Sequence, residues 1–121
     1  MRKRWLLLPL FSILACSKGR DSRPYVNIPS VQRTRASASG TSIQWEAKIL
    51  SDGNLTVREK GICWGNLPKP GITGNHMAIS TAGDIFSDTI SGLTPLNIYF
   101  IRAYATNAQG TAYSAEWIFY L

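Results

Sequence analysis

Alternation between apolar and polar positions is the main structural signal in this chain. Residues 43–49 place an apolar side chain at every odd position and a polar one between. Residues 99–105 also place apolar side chains at the odd positions, with Phe100, Arg102 and Tyr104 between them. A period of two residues is that of a β-strand with one buried face. Ile62 and Trp64 are the expected inward pair of another strand, which places Cys63 on its opposite face. The strand with Ile62 and Trp64 is predicted at residues 56–64, and further strands are predicted at residues 25–35, 85–90 and 111–120.

Turn residues separate these predicted strands, and no helical period occurs after residue 15. Glycine, proline, asparagine and serine cluster at residues 36–42, 51–54, 66–77 and 107–110. Such residues favour turns and loops. Six or seven short strands in roughly 95 residues therefore predict an all-β, antiparallel β-sandwich of the immunoglobulin-like kind.

One predicted corner precedes the strand at residues 99–105. Leu93, Pro95 and Tyr99 have the spacing of a tyrosine corner, in which a tyrosine hydroxyl bonds to backbone just upstream. Gly92 and Pro95 interrupt the strand before it. We expect Leu93, Pro95 and Tyr99 to be structural residues that fix the entry into this strand.

The N-terminus is predicted to be a lipoprotein signal peptide at residues 1–15. Three basic residues precede an eleven-residue apolar run, too short to cross a membrane as a helix. Residues 13–16, Ile-Leu-Ala-Cys, resemble the bacterial lipobox, in which the cysteine carries a diacylglycerol. Cys16 is therefore the predicted lipid attachment site. The alternative is cleavage after Ser17, which would release a secreted protein.

Residues 16–24 are predicted to be a flexible tether, followed by one domain at residues 25–121. Loss of the leader leaves ten basic residues against seven acidic ones, a net charge of about +3. That value is too small to favour nucleic acid as a partner. If Cys16 is lipidated, Cys63 has no disulfide partner within the chain.

Several segments resemble a known family. They are residues 42–45 (SIQW), 58–65 (REKGICWG), 92–95 (GLTP) and 99–107 (YFIRAYATN). Together they are similar to the fibronectin type III-like repeats of Bacteroidetes surface and secreted proteins, over residues 26–120. The resemblance implies a β-sandwich of about seven strands in a lipoprotein of the bacterial cell envelope, with the outer membrane as the expected anchor. Residues 17–20, SKGR, lack the acidic run of surface-exported lipoproteins, which favours the periplasmic side without deciding it.

The sequence offers no combination of residues that indicates catalysis. His76 lies in a loop rich in proline and glycine, and Asp84 and Asp88 flank the start of a predicted strand. Cys63 has no base nearby in sequence, as a cysteine nucleophile would require. We expect no enzymatic activity, no metal and no cofactor.

A binding surface is the remaining functional candidate. The alternation directs five side chains to the outer face of the sheet built from the last strands: Phe100, Arg102, Tyr104, Ile118 and Tyr120. Aromatic side chains with an arginine stack on sugars or dock protein segments, although cross-strand aromatic pairs also simply stabilise sheets. The sequence thus predicts a non-catalytic, membrane-anchored module that binds a protein or glycan. A structural spacer or remnant of a longer repeat protein is the alternative, and a small hydrolase is a remote one.

Overall fold

The computed structural model of the protein describes residues 29–121, which form eight β-strands and no helix. Their bounds in chain order are β1 (Ser30–Ser39), β2 (Ser42–Ser51), β3 (Glu59–Gly65), β4 (Asn75–Ala78), β5 (Ile85–Ile90), β6 (Ile98–Asn107), β7 (Gly110–Tyr113) and β8 (Trp117–Tyr120). The predicted signal peptide, Cys16 and the tether lie outside the described residues, as do the first four residues of the predicted domain.

The strands form two antiparallel sheets in two layers. The smaller sheet has the order β1-β2-β5. In the larger sheet β3 lies between β4 and β6, and both β7 and β8 pair with the other edge of β6. The predicted all-β, antiparallel, sandwich-like class is confirmed at this level.

The core lies between the sheets and is built from the alternating positions of the sequence. The odd-numbered positions 43–49 of β2 and 99–105 of β6 face inward and are buried: Ile43, Trp45, Ala47, Ile49, Tyr99, Ile101, Ala103 and Ala105. The Trp45 ring meets the Phe86 ring edge-on, with centroids 5.7 Å apart. Burial of each large apolar side chain contributes about 2 kcal/mol of stabilisation, so these rows hold the two layers together.

The corner before β6 has the geometry that its spacing predicts. The backbone N–H of Thr94 donates a hydrogen bond of 2.9 Å to the hydroxyl of Tyr99. Leu93 and Tyr99 are buried, whereas Pro95 is exposed on the turn. The Leu93 N–H also donates to the carbonyl of Thr41 at 3.0 Å. The corner therefore joins the larger sheet to the turn between β1 and β2.

Replacing Tyr99 with phenylalanine should lower the free energy of unfolding by about 1 kcal/mol, because the part-buried Thr94 N–H loses its acceptor. Urea unfolding measures the change. Tyr120→Phe is the matched control and should leave stability unchanged, since that side chain is exposed. Equal losses in both variants would contradict a role for the corner hydrogen bond.

Four predicted boundaries are wrong, and the contacts give a physical reason for two of them. Residues 36–42 were expected to be a turn, but β1 continues to Ser39, because Ala36 and Ala38 pair with β2. The predicted last strand is divided into β7 and β8. At the break the Ser114 hydroxyl, in place of a backbone carbonyl, accepts the Ala103 N–H at 2.9 Å. In addition, β3 begins only at Glu59, and β4 lies within the stretch predicted to be a loop.

Candidate functional site

Arg102 fastens the long loop between β3 and β4 to the outer face of the larger sheet. Its Nε–H donates to the Pro70 carbonyl at 2.6 Å, and its guanidinium carbon lies 3.8 Å from the centroid of the Tyr113 ring. The Tyr113 hydroxyl in turn accepts the Ile72 N–H at 3.2 Å. Arg102 was predicted to project among exposed aromatics. In the structure, its guanidinium group instead binds the loop through the Pro70 carbonyl and stacks on the Tyr113 ring.

Tyr104 is fully buried, so the prediction that it belongs to an exposed binding surface is wrong. Its hydroxyl donates a hydrogen bond to the Glu59 carboxylate, and its ring meets the His76 ring edge-on, with centroids 6.1 Å apart. Burial, followed by the hydrogen bond to Glu59, raises the pKa of Tyr104 above its ordinary value. The side chain leaves the sheet on the predicted face, where the His76 ring of β4 reaches across β3 and helps to cover it.

Cys63 lies between two polar neighbours that its sequence position does not reveal. In the strand register it is opposite His76 on β4 and opposite Arg102 on β6. The thiol is nevertheless fully buried, and this burial raises its pKa to about 12, against a smaller opposing effect of the Arg102 charge. A protonated, enclosed thiol is a poor nucleophile at neutral pH. No base lies near Cys63 in the sequence, but in the fold His76 is its neighbour on β4. The buried, protonated thiol does not form a reactive pair with this histidine.

The remaining residues of the predicted outer face form an exposed apolar area. Ile118 and Tyr120 on β8 expose 51% and 80% of their surface. In the register Ile118 lies opposite Phe100, and Tyr120 lies opposite Ile98. Since facing residues of paired strands project to the same side, these four side chains share the outer face.

Two leucines lie at the same end of the sheet as these four side chains. Leu67 and Leu96 expose 77% and 93% of their surface. The Asn66 side chain donates to the Ile98 carbonyl at 2.7 Å, and the Leu96 N–H donates to the Leu121 carbonyl at 2.9 Å. We call the following six residues the apolar patch: Leu67, Leu96, Ile98, Phe100, Ile118 and Tyr120. Single exposed apolar residues are ordinary, but a cluster of this kind is typical of an interaction site.

Leu96 has an unusual backbone conformation for its residue type. Its φ is +62°, in the left-handed region that costs a branched L-residue roughly 1 kcal/mol or more. Glycine would adopt this conformation without that cost. A strained backbone that carries a solvent-exposed leucine is an arrangement found at functional surfaces.

The apolar patch lies at the opposite end of the fold from the point where the chain enters it. Ser30 pairs with Ser51, and the Asn107 side chain donates to the Asp52 carbonyl at 3.0 Å, so the start of β1 lies near the end of β6. The patch lies near the beginning of β6, which has ten residues. At about 3.3 Å per residue, the two ends are roughly 30 Å apart.

A groove of about 320 Å³ crosses the smaller sheet. Its lining follows three rows of the register, Arg35-Glu46-Ser87, Ala36-Trp45-Asp88 and Ser37-Gln44-Thr89. The middle row includes the buried Trp45, so the outer two rows form the walls. Arg35 and Glu46 form an ion pair across one wall at 2.9 Å. The groove follows from the pleat of the sheet. Arg35 and Glu46 already pair with each other, and the Asp88 carboxylate accepts the Thr89 N–H at 2.7 Å.

A larger cavity, of about 570 Å³, lies at the end where the chain enters the fold. Its lining mixes charges, with Asp52, Glu59 and Asp84 beside Arg58 and Lys60. The Lys60 ammonium donates to the Gly83 carbonyl at 2.8 Å. Asp84 thus lies in this cavity and Asp88 in the groove, so the structure does not bring the two aspartates together. Within residues 29–121, no cluster of three or more histidine, cysteine or acidic side chains is arranged to hold a metal ion.

Neither a scan against protein-family models nor a search of curated proteins found a match to this chain. Over the described part of the chain, no helix has the length and hydropathy that a membrane crossing requires. Function is therefore inferred from the surface of the protein, whose most distinctive feature is the apolar patch.

Proposed function

We propose that this protein is a non-catalytic, lipid-anchored β-sandwich of the bacterial cell envelope that binds a protein partner through the apolar patch. The position of the patch carries the proposal, because it lies at the opposite end of the sandwich from Pro29, where the described chain begins. An anchor at Cys16 would hold the entry end toward the membrane. The patch would then face away from the membrane, where a partner can reach it.

The composition of the patch favours a protein partner over a glycan. Sugar rings stack on flat, exposed aromatic faces, and Tyr120 is the only strongly exposed aromatic side chain in the patch. Leucine and isoleucine supply most of the remaining exposed area. Aliphatic groups of this kind pack against apolar side chains, as in the centre of a protein interface.

The sheet arrangement supports assignment to the fibronectin type III kind of sandwich. In antibody constant domains the fourth strand joins the sheet of the first two strands. Here β4 pairs with β3 in the other sheet. The corner at Tyr99 and the resemblance of residues 26–120 to fibronectin type III-like repeats point the same way.

The state of the candidate nucleophile supports a non-catalytic role. Cys63 is enclosed and its pKa is raised, while His76 is exposed with its Nδ1 atom 2.9 Å from the Gly74 carbonyl. A nucleophile and its base act only when they are within hydrogen-bond reach and open to substrate. A structural spacer with no ligand of its own is the alternative to the binding role.

Site-specific photocrosslinking in a Bacteroidetes host tests the proposal. A photoreactive amino acid at position 120 should crosslink to a defined envelope protein. The same group at position 50 is the matched control, because Leu50 is also exposed but lies on β2 of the other sheet. If Ile118→Asp abolishes the crosslinks from position 120, this result would support binding of a protein partner at the apolar patch. No crosslink at either position would favour the spacer.

The anchor is tested separately by labelling with a radioactive fatty acid. The wild-type chain should incorporate the label and fractionate with membranes, and Cys16→Ala should lose both properties. An unlabelled, soluble wild-type product would contradict the lipoprotein assignment. Protease treatment of intact cells then distinguishes the periplasmic from the surface side.

Leu96→Gly should separate binding from stability. Glycine removes the exposed side chain and relieves the left-handed backbone, so we expect the free energy of unfolding to rise by about 0.5 kcal/mol. Partner crosslinking from position 120 should fall at the same time. Urea unfolding and crosslink yield measure the two effects, and a loss of stability together with full crosslinking would contradict both expectations.

A further inference from the structure

One edge of β8 is open in the described part of the chain. The strand pairs with β6 on one side, and no described strand pairs with its other side. The Leu121 N–H donates toward β6, to the Asn97 carbonyl at 3.0 Å. Because backbone groups alternate in direction along an antiparallel strand, Tyr120 and Ile118 direct their N–H and C=O groups away from β6. These groups form a short, unused hydrogen-bonding edge.

Three other edge strands, β1, β5 and β4, carry features that discourage pairing. β1 has two register irregularities, and Arg33 and Arg35 lie along it. On β5, Asp88 lies in the same inward row as the buried Trp45, and a charge in such a position blocks an incoming strand. β4 is short and begins with two polar residues. Folded proteins commonly protect their sheet edges by these means.

β8 is as short as β4, with four residues, but it has none of the other protective features. Its sequence is Trp-Ile-Phe-Tyr, without a charge, proline, glycine or register shift. Arg33 lies over the Trp117 ring, 5.8 Å from its centroid, and therefore covers only the first residue of the strand. Ile118 and Tyr120 belong to the apolar patch, so the open backbone edge is continuous with the exposed apolar surface.

We propose that β8 binds its partner by strand addition, pairing with an extended apolar segment of another protein. This inference rests on the proposed function and specifies how the apolar patch recognises its partner. An extended peptide can satisfy the N–H and C=O groups of Ile118 and Tyr120, whereas a partner helix or a sugar chain cannot continue the ladder. The added strand would place alternate side chains beside Ile118 and Tyr120 on the outer face. Its intervening side chains would lie beside Trp117 and Phe119, so apolar residues fit both of its faces.

The test uses the full chain in detergent and a fluorescent synthetic peptide, Thr-Val-Ile-Val-Thr-Val, as the probe. A matched peptide carries N-methyl groups on alternate amides, which keeps the side chains but prevents pairing along that edge. Fluorescence anisotropy should show that the first peptide binds. The second peptide should have a dissociation constant at least about tenfold higher, which corresponds to the loss of roughly one hydrogen bond. Hydrogen exchange should show that the first peptide protects the amides of Ile118 and Tyr120.

Two variants of the protein separate the backbone edge from the side chains. Ile118→Pro removes the outward N–H, which edge strands tolerate, and should weaken peptide binding about tenfold. Ile118→Ala keeps this N–H and should weaken binding less. Equal binding of both peptides, or binding without protection of the two amides, would overturn strand addition. In that case crosslinking at position 120 would still decide the proposed function. Absence of peptide binding would likewise overturn the inference.

Discussion

Gly61→Ala should lower the free energy of unfolding by at least about 3 kcal/mol. An ideal Cβ atom at this position would lie 1.9 Å from the Met77 carbonyl oxygen and 3.0 Å from the Ala78 Cα atom. Both atoms belong to the backbone of β4, so no side-chain rotation can relieve the overlap. The strand must move away from β3, and the edge-on contact between His76 and Tyr104 would then be lost.

Gly65→Ala on the same strand is the matched control. No atom lies within 4 Å of its ideal Cβ position, so the variant should differ from wild type by less than about 0.5 kcal/mol. Urea unfolding gives the stability of both variants, and hydrogen exchange reports whether β4 has loosened in Gly61→Ala. Similar stabilities for the two variants would show that β4 is not held closely against β3.

The core was predictable because one physical rule governs it. In β2 and β6 a buried face requires an apolar or small side chain at every second residue, and each of those positions is buried. The corner was predictable for a similar reason, since Leu93 and Tyr99 have a fixed spacing that one hydrogen bond explains. Both signals are local in sequence.

The outer face was predicted less well, because its environment depends on contacts between distant segments. The alternation indicates which face Tyr104 occupies, but not that the His76 ring of β4 packs against it there. Arg102 binds the Pro70 carbonyl, 32 positions away. The sequence of the loop between β3 and β4 does not predict this contact. Proline and glycine indicate an irregular backbone, but they do not indicate which part of the sheet the loop packs against. The proximity of Cys63 and His76 has the same origin.

The apolar patch was found only in part for the same reason. Phe100, Ile118 and Tyr120 follow from the strand period, and the structure leaves Ile118 and Tyr120 exposed. Leu67 and Leu96 lie in connecting segments that have no period. Only the fold brings them to the end of the sheet where β6 begins and β8 ends, which is also the end far from Pro29.

Alkaline pH should destabilise the protein because the buried thiol of Cys63 resists ionisation in the folded state. Burial raises the pKa of Cys63 from 9.0 to about 12, so between these values the unfolded chain releases a proton that the folded protein keeps. The stabilising effect is complete below about pH 9 and declines as the pH rises, because the unfolded state binds fewer protons there. We expect the free energy of unfolding to fall by about 2 kcal/mol between about pH 8 and about pH 10.5.

Cys63→Val tests whether the buried thiol causes this decline. Valine removes the ionisable group, so the variant should lose about 2 kcal/mol less than wild type over the same pH interval, whatever its stability at neutral pH. The pKa of Tyr104 is raised too, and a smaller decline should persist in the variant and disappear in Cys63→Val combined with Tyr104→Phe. Urea unfolding at several pH values measures each slope. Parallel curves for wild type and Cys63→Val would mean that solvent reaches the thiol in the folded state, and the enclosed outer face inferred for Cys63 would then be wrong.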